Sequence, residues 1–164
     1  DIAKTLKKQN KASNCFFTVG NMEKTRFKKN YFDLIFCNGS IWFTNCESTL
    51  NEFKRILKRN GRIYFSFANF GWYLKLLIKD GIIKKNSINF RKSIEFIIRF
   101  LQKKKSRVFL TKKFIERLLP NQLEILDYDF EGKIGLTEKV NISFYESRFL
   151  FFPSMNEILL RKKS

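Results

Sequence analysis

The stretch Tyr31–Phe67, YFDLIFCNGSIWFTNCESTLNEFKRILKRNGRIYFSF, constrains the fold more than any other part of the chain. It opens with a short apolar run, Phe32 to Cys37, that stops at the polar turn Asn38-Gly39-Ser40. A run of that length, rich in aromatic and branched residues and closed by Asn-Gly, predicts a strand buried on both faces. Thr44-Asn45-Cys46-Glu47 then has capping-box spacing, hydroxyl first and carboxylate three residues on, which satisfies orphan amides at a helix start. Leu50, Phe53, Ile56 and Leu57 follow at helical spacing, with Lys54, Arg55, Lys58 and Arg59 where cations suit the helix dipole. Asn60-Gly61 predicts the helix end, and Arg62 to Phe67 a second strand. Strand, helix and strand on this scale predict a right-handed parallel crossover beneath a covered sheet.

These residues resemble the middle of class I S-adenosylmethionine-dependent methyltransferases, in particular the type 11-like group. FDLIFCNGSIWF and LKRNGRIYFSF carry the likeness, and it extends both ways. Upstream, FFTVGNMEKTRF is similar to the family's third strand and its adenine turn. Downstream, FLTKKFIERLLPNQLEILDYDF is similar to the last helix and sixth strand, and FFPSMNEILLRKK to the seventh strand. The likeness covers most of residues 12–68 and 109–163. It implies an α/β, Rossmann-like sheet with strands 3, 4, 5, 7 and 6 in the order 3-gap-4-5-7-6, incomplete at the N-terminus, with a helical insertion after strand 5.

The resemblance also implies where the chemistry lies. Gly20-Asn21-Met22 falls on the family's adenine turn. An Asp at the second position there accepts from the adenine amino group, and Asn21 keeps a carbonyl acceptor without the charge. Read from the residues alone, the same tripeptide is a Gly-Asn turn leaving a strand. The backbone of Cys37, Asn38 and Gly39 would meet the cofactor's methionine side, and Gly39 permits close approach. Ser40, Trp42 and Phe43 would face the substrate, joined by Trp72 and Tyr73; as aromatic residues, Trp42 and Phe43 serve equally as packing. No side chain stands out as a general base, with Tyr64, Tyr73 and Glu47 merely titratable or polar nearby. Many relatives carry a histidine near Phe43, and this chain has none.

From Phe70 to Arg107 the chain departs from the minimal family pattern. Trp72, Leu76 and Leu77 mark a short helix that Gly81 interrupts. Phe90, Ile94, Ile97, Ile98 and Leu101 fall on one helical stripe, expected to face inward. Residues 71–107 thus read as a lid-like helical insertion within a partial methyltransferase domain spanning 1–164. Charge gathers here: residues 71–117 hold fourteen Lys/Arg against Asp80, Glu95 and Glu116, a net +11 of the chain's +18. Such an excess suits phosphate, of an anionic membrane surface or of nucleic acid. The plainer reading is an AT-biased genome that fills solvated faces with Lys, and no nucleic-acid motif is present. Beyond it, Thr111 caps a helix stopped by Pro120, Leu123–Phe130 alternates as a strand, and Asn156–Arg161 reads as a last strand lying between strands 5 and 6.

A chain of 164 residues, 44% apolar with 20 Phe, can bury one core. No apolar run reaches membrane-spanning length, and a reducing cytoplasm is the expected location. Cys15, Cys37 and Cys46 lack ligand-like spacing, and without histidine a Cys/His metal site is excluded. Cys15 and Cys37 are expected as small buried residues in strands. In the family, a glycine-rich loop and an acidic residue precede the helix that Ile2–Lys8 resembles, and neither is found here. The resemblance therefore implies the C-terminal portion of a longer enzyme. It would transfer methyl from S-adenosylmethionine to a small-molecule acceptor, with this portion inactive alone. The contrasting expectation is a non-catalytic basic module with a degenerate methyltransferase fold.

Overall fold

A computed structural model describes residues 2–101, 111–130, 132–134, 146 and 148–164, with side chains 99–101 excepted. Its centre is a four-stranded sheet. β1 (Phe32–Cys37) leads through a 3-10 turn (Ile41–Phe43) into helix α2 (Cys46–Ile56) and back into β2 (Leu57–Ala68). β1 and β2 pair in parallel, the predicted crossover. β3 (Leu123–Phe130) and β6 (Met155–Lys162) complete the sheet in the order β1-β2-β6-β3, with β6 antiparallel to both neighbours. The C-terminal strand thus slots between β2 and β3, as the resemblance implied.

One face of the sheet is covered along its length, and the other only toward the end of β2, where Ser66, Ala68, Met155 and Glu157 are buried. Ile35, Cys37, Ile63, Phe65, Phe67, Ile158 and Leu160 alternate toward α2 and α5 (Lys112–Leu118), where Leu50, Phe53, Ile56 and Ile115 close the core. Thr111 caps α5 by accepting from the Phe114 amide, as its sequence predicts. On the opposite face Leu34 and Phe36 are 58% and 64% exposed, and the Phe36 ring stacks on Tyr64 at 4.8 Å. β1 is therefore buried on one side, not two. Among the described residues its outer edge also has no ladder partner.

Cys15–Val19, expected as a strand, is irregular and exposed, with Phe16 at 86% and Val19 at 101%. The expected order leaves a gap between this segment and β1, and a strand without a neighbour has no hydrogen-bond ladder to hold it. Cys15 is accordingly exposed rather than buried. Before it, α1 (Ile2–Gln9) buries none of its residues.

The α2–β2 junction also differs from expectation. The helix ends at Ile56, and Leu57 is already extended (φ −79°, ψ 136°) and paired with Phe32. Asn60 adopts φ +58° inside an irregularity of β2, where Arg62 resumes pairing with Leu34. Asn60-Gly61 is thus a bulge in a strand, not the stop of a helix. Gly61 is required there, since a Cβ would lie 2.8 Å from Leu57 Cγ and 2.9 Å from the Lys58 carbonyl oxygen.

The insertion is helical where it is described. α3 (Phe70–Lys75) continues as wide π-helical turns over Leu76–Ile83, and α4 (Ser87–Leu101) packs back upon them. Gly81 does not break the helix. It lets α4 cross closely, its α-hydrogens facing Phe90, whose Cα a Cβ would approach to 2.9 Å. The inward face of α4 is set by Ser93, Phe96 and Ile97, while Phe90 and Ile98 of the predicted stripe are 40% and 46% exposed. Ser93, fully buried, donates its hydroxyl to the Asn89 carbonyl, so a small polar residue sits on the inward face of α4. The remainder of the insertion, 102–107, lies outside the described residues, as does most of the Glu131–Asn141 connection and Ile142–Tyr145. β4 (Arg148–Phe149) and β5 (Phe152–Pro153) form a small hairpin against α3. No helix among the described residues is long and apolar enough to cross a membrane.

Candidate functional site

The carboxyl ends of β1 and β2 carry a polar turn braced from the neighbouring strand. Ser66, fully buried in β2, donates its hydroxyl to Asn38 Oδ1 and accepts the Gly39 amide at 3.1 Å. Ser40 Oγ donates to the Asn38 carbonyl at 3.0 Å, closing the turn. Gly39 has φ +62°, the left-handed region that glycine enters at no steric cost. With its side-chain oxygen engaged by Ser66, Asn38 presents mainly backbone to a ligand.

Met22 joins the second predicted element to this turn. Its Sδ lies 3.7 Å from Cys37 Sγ, and its side chain packs on the core. Gly20 and Asn21, just before it, are exposed. Asn21 Oδ1 accepts the Glu23 amide at 2.8 Å, and its carbonyl accepts the Lys24 amide at 3.1 Å, so the residue shapes a tight turn. Burial pushes the Cys37 thiol up to about 11 despite opposing backbone contacts at Ser40 and Ile41, and it pushes Cys46 up to about 12. Burial thus favours the neutral thiol at both positions.

Two carboxylates that the sequence did not single out fix this segment. Glu23 Oε1 accepts the Asn45 amide at 2.8 Å, while Asn45 Oδ1 accepts the Ser48 amide at 3.1 Å. Asn45, not Thr44, is the N-cap of α2, and the reciprocal acceptor of the capping box comes from Glu23 instead of Glu47. The Thr44 hydroxyl turns away to Ile41 O and Thr49 Oγ1, both at 2.8 Å. Glu52, on α2, accepts from the amide and hydroxyl of Thr25. A polar residue among the apolar positions of α2 was the only signal available for it.

The predicted substrate residues divide. Trp42 is half-buried and touches both the main core and the smaller cluster of Ala68, Tyr73 and Met155 under the insertion. Phe43 is 77% exposed, its ring 5.7 Å from that of Trp42. Trp72 packs partly on the smaller cluster, with Lys75 Nζ 5.6 Å above its ring. Tyr73 is 4% exposed against Phe96, and burial drives its phenol pKa up. It is a core residue of the insertion, not a wall of an open site. Tyr64 donates to Glu157 at 2.7 Å on the face of the sheet turned away from α2, and Glu47 stays on the exposed first turn of α2. Ala68 and Met155 lie at the end of the sheet where β1 and β2 finish, so the insertion packs at the end that carries the Asn38 turn. Asn69 caps α3 and bonds Asn156 at 2.9 Å, fastening the insertion to β6. Among the described residues no cluster of His, Cys, Asp or Glu could hold a metal ion.

Residues 1–119 match the family model described as a methyltransferase domain. Among curated proteins, none matches the sequence. Solved structures share the fold. The PH0226 protein from Pyrococcus horikoshii OT3 superposes with a TM-score of 0.60 at 15% identity, over 98% of this chain and 65% of its own. The [4+2]-cyclase SpnF gives 0.61 at 13% identity, over 99% and 61%. A SAM-dependent methyltransferase from Methanosarcina mazei gives 0.53 at 16% identity, over 90% and 66%. The chain spans less than two thirds of the first two. A fold shared with a cyclase does not by itself fix the reaction.

Proposed function

The chain belongs to the methyltransferase-domain family, and from that we propose that it serves S-adenosylmethionine-dependent methyl transfer to a small-molecule acceptor. The observation that carries this reading is the Met22–Cys37 contact, which sets the Gly20-Asn21 turn beside the carboxyl end of β1. Ligands of open α/β sheets collect at that end of the strands.

When bound, S-adenosylmethionine supplies a sulfonium methyl for in-line displacement by the acceptor. This chain's residues fit part of that cofactor. Asn21 Oδ1 keeps a lone pair beyond the one used by Glu23, free to accept from an amino group. Met22 offers an apolar surface to a ring, and Gly39 lets the Cys37–Gly39 backbone come close. The cradle for the cofactor's carboxylate and ribose, which the family builds from a glycine-rich loop, has no counterpart in this sequence. Ser40, Trp42 and Phe43 border the acceptor, Trp72 lines the insertion above them, and Tyr73 supports it from within. Catalysis rests on positioning and exclusion of water, because burial favours the neutral form of the nearby thiols and the Tyr73 phenol is buried. Three free cysteines agree with a reducing cytoplasm.

The test is an NMR titration of the 164-residue chain with S-adenosylhomocysteine. Amides of Gly20–Met22 and Cys37–Ser40 should shift together, with affinity on the order of 0.1 mM or weaker. Micromolar affinity would show that these residues alone hold the cofactor. Shifts confined to other residues would remove the site.

A further inference from the structure

We propose that the tip of the helical insertion, where the Leu76–Ile83 turns meet α4, docks on an anionic lipid bilayer. Three isoleucines crowd this tip and face solvent: Ile82 at 56%, Ile83 at 69% and Ile88 at 64% exposed. They are held outward by an ordered turn. The Lys84 amide bonds Lys79 O at 3.1 Å, the Asn86 amide bonds Asp80 O at 3.0 Å, and Asn86 Oδ1 accepts the Asn89 amide at 3.0 Å. The close crossing at Gly81 and Phe90 locks the two helices below the tip, so the isoleucines cannot fold back into the core.

Cations ring these side chains. Lys84 and Lys85 are exposed at the apex, and Arg91 and Lys92 on the first turns of α4. Asp80 pairs with Lys84 at 2.8 Å, and residues 79–92 hold five Lys/Arg against this one acid. Exposed aliphatic side chains within a basic ring match the acyl boundary and headgroup layer of an anionic membrane. Nucleic acid fits less well, because it rewards planar aromatic and guanidinium surfaces at such a site, and isoleucine stacks on nothing. A second copy of this chain fits least, since each copy carries a net +18. Apolar insertion and a basic patch are each marginal alone and hold a bilayer firmly only together. The opposite side of the hairpin, through Tyr73, Phe96 and Ile97, stays on the sheet, so docking needs no rearrangement.

The experiment is co-sedimentation with phosphatidylcholine vesicles and with vesicles mixing phosphatidylcholine and phosphatidylglycerol, at low and high salt. The parent chain should partition onto the mixed vesicles only, and less so at high salt. The triple variant Ile82→Ser/Ile83→Ser/Ile88→Ser should lose roughly tenfold or more of that binding while keeping the parent's circular dichroism. Lys84→Gln/Lys85→Gln should lose about fivefold per lysine. In an Ile83→Trp variant, indole emission should shift to the blue on mixed vesicles. The proposal is overturned if the parent ignores mixed vesicles, including the case where it binds an oligonucleotide instead. It is overturned too if the triple variant binds like the parent. A loss caused by Phe16→Ser/Val19→Ser in place of the tip changes would move the apolar contact elsewhere and defeat it equally.

Discussion

Exchanging Glu52 for Gln should destabilise the chain at neutral pH and do almost nothing in acid. Glu52 is 8% exposed and accepts four bonds: from the Thr25 amide (2.8 Å) and hydroxyl (2.6 Å), and from Arg55 Nε (2.8 Å) and Nη2 (2.7 Å). Arg55 Nη2 also reaches the Phe27 carbonyl at 2.8 Å, so α2 grips residues 25–27 just behind the Asn21 turn. The Arg55 hydrogen bonds, aided by the Thr25 hydroxyl and amide and opposed by burial, hold the Glu52 carboxyl at about 2 against an ordinary 4.5. The folded value lies below the unfolded one. The stabilisation is therefore complete above the unfolded value and is lost as pH falls toward the folded one. The whole drop corresponds to roughly 3 kcal/mol. Arg55 is 38% exposed and water screens its share, which leaves about 1–2 kcal/mol. Urea unfolding of the parent and of Glu52→Gln should show that gap at neutral pH and its closure by pH of about 2. Amide exchange at Thr25 should quicken in the variant. A gap that stays constant across the range, or no gap at neutral pH, would refute the argument.

Three further changes test separate parts of the structure. Gly61→Ala places a methyl 2.9 Å from the Lys58 carbonyl oxygen and should cost about 1–3 kcal/mol in denaturant unfolding. Lys162→Met should cost about 2–3 kcal/mol in the same assay, because the buried ammonium donates to Asn30 Oδ1, Lys54 O and Leu57 O at 2.9, 2.8 and 2.7 Å. Asn21→Ala should weaken S-adenosylhomocysteine binding by up to roughly tenfold, and Asn21→Asp should restore or strengthen it, since a charged acceptor is the stronger one. Both Asn21 variants binding like the parent would make the residue a turn former only.

Periodic features were legible in the sequence because burial writes them there. β1, the body of α2, α5, β3 and the placing of β6 between β2 and β3 follow from apolar spacing together with the family likeness. Where expectation failed, a distant partner decided the outcome. Leu57 to Arg59 suit a helix by propensity, yet Leu57 pairs with Phe32 and pulls the strand start back to Ile56's neighbour. Cys15–Val19 suits a strand by composition but has no ladder to join. Phe90 and Ile98 suit a buried stripe, but the crossing at Gly81 brings backbone against backbone and turns Ser93 inward in their place.

The polar fastenings of the site left no periodic trace at all. Glu23, Thr25, Asn45, Glu52 and Arg55 are separated by up to 32 positions, and each is an ordinary surface residue type. Folding brings them together as one brace between α2 and the residues following the Asn21 turn. Such a brace has a consequence for binding. A ligand on the Asn21 turn needs that turn already in place, and every bond from Glu52 or Glu23 removes backbone freedom the ligand would otherwise have to freeze out. Loss of the brace should therefore lower affinity without any change in the groups that touch the ligand. On that reasoning, Glu52→Gln should weaken S-adenosylhomocysteine binding at neutral pH, and the deficit should shrink in acid together with the stability gap. Binding unaffected by Glu52→Gln, alongside the predicted stability loss, would show that the turn is ordered by its own Asx bond to Glu23 and needs no support from α2.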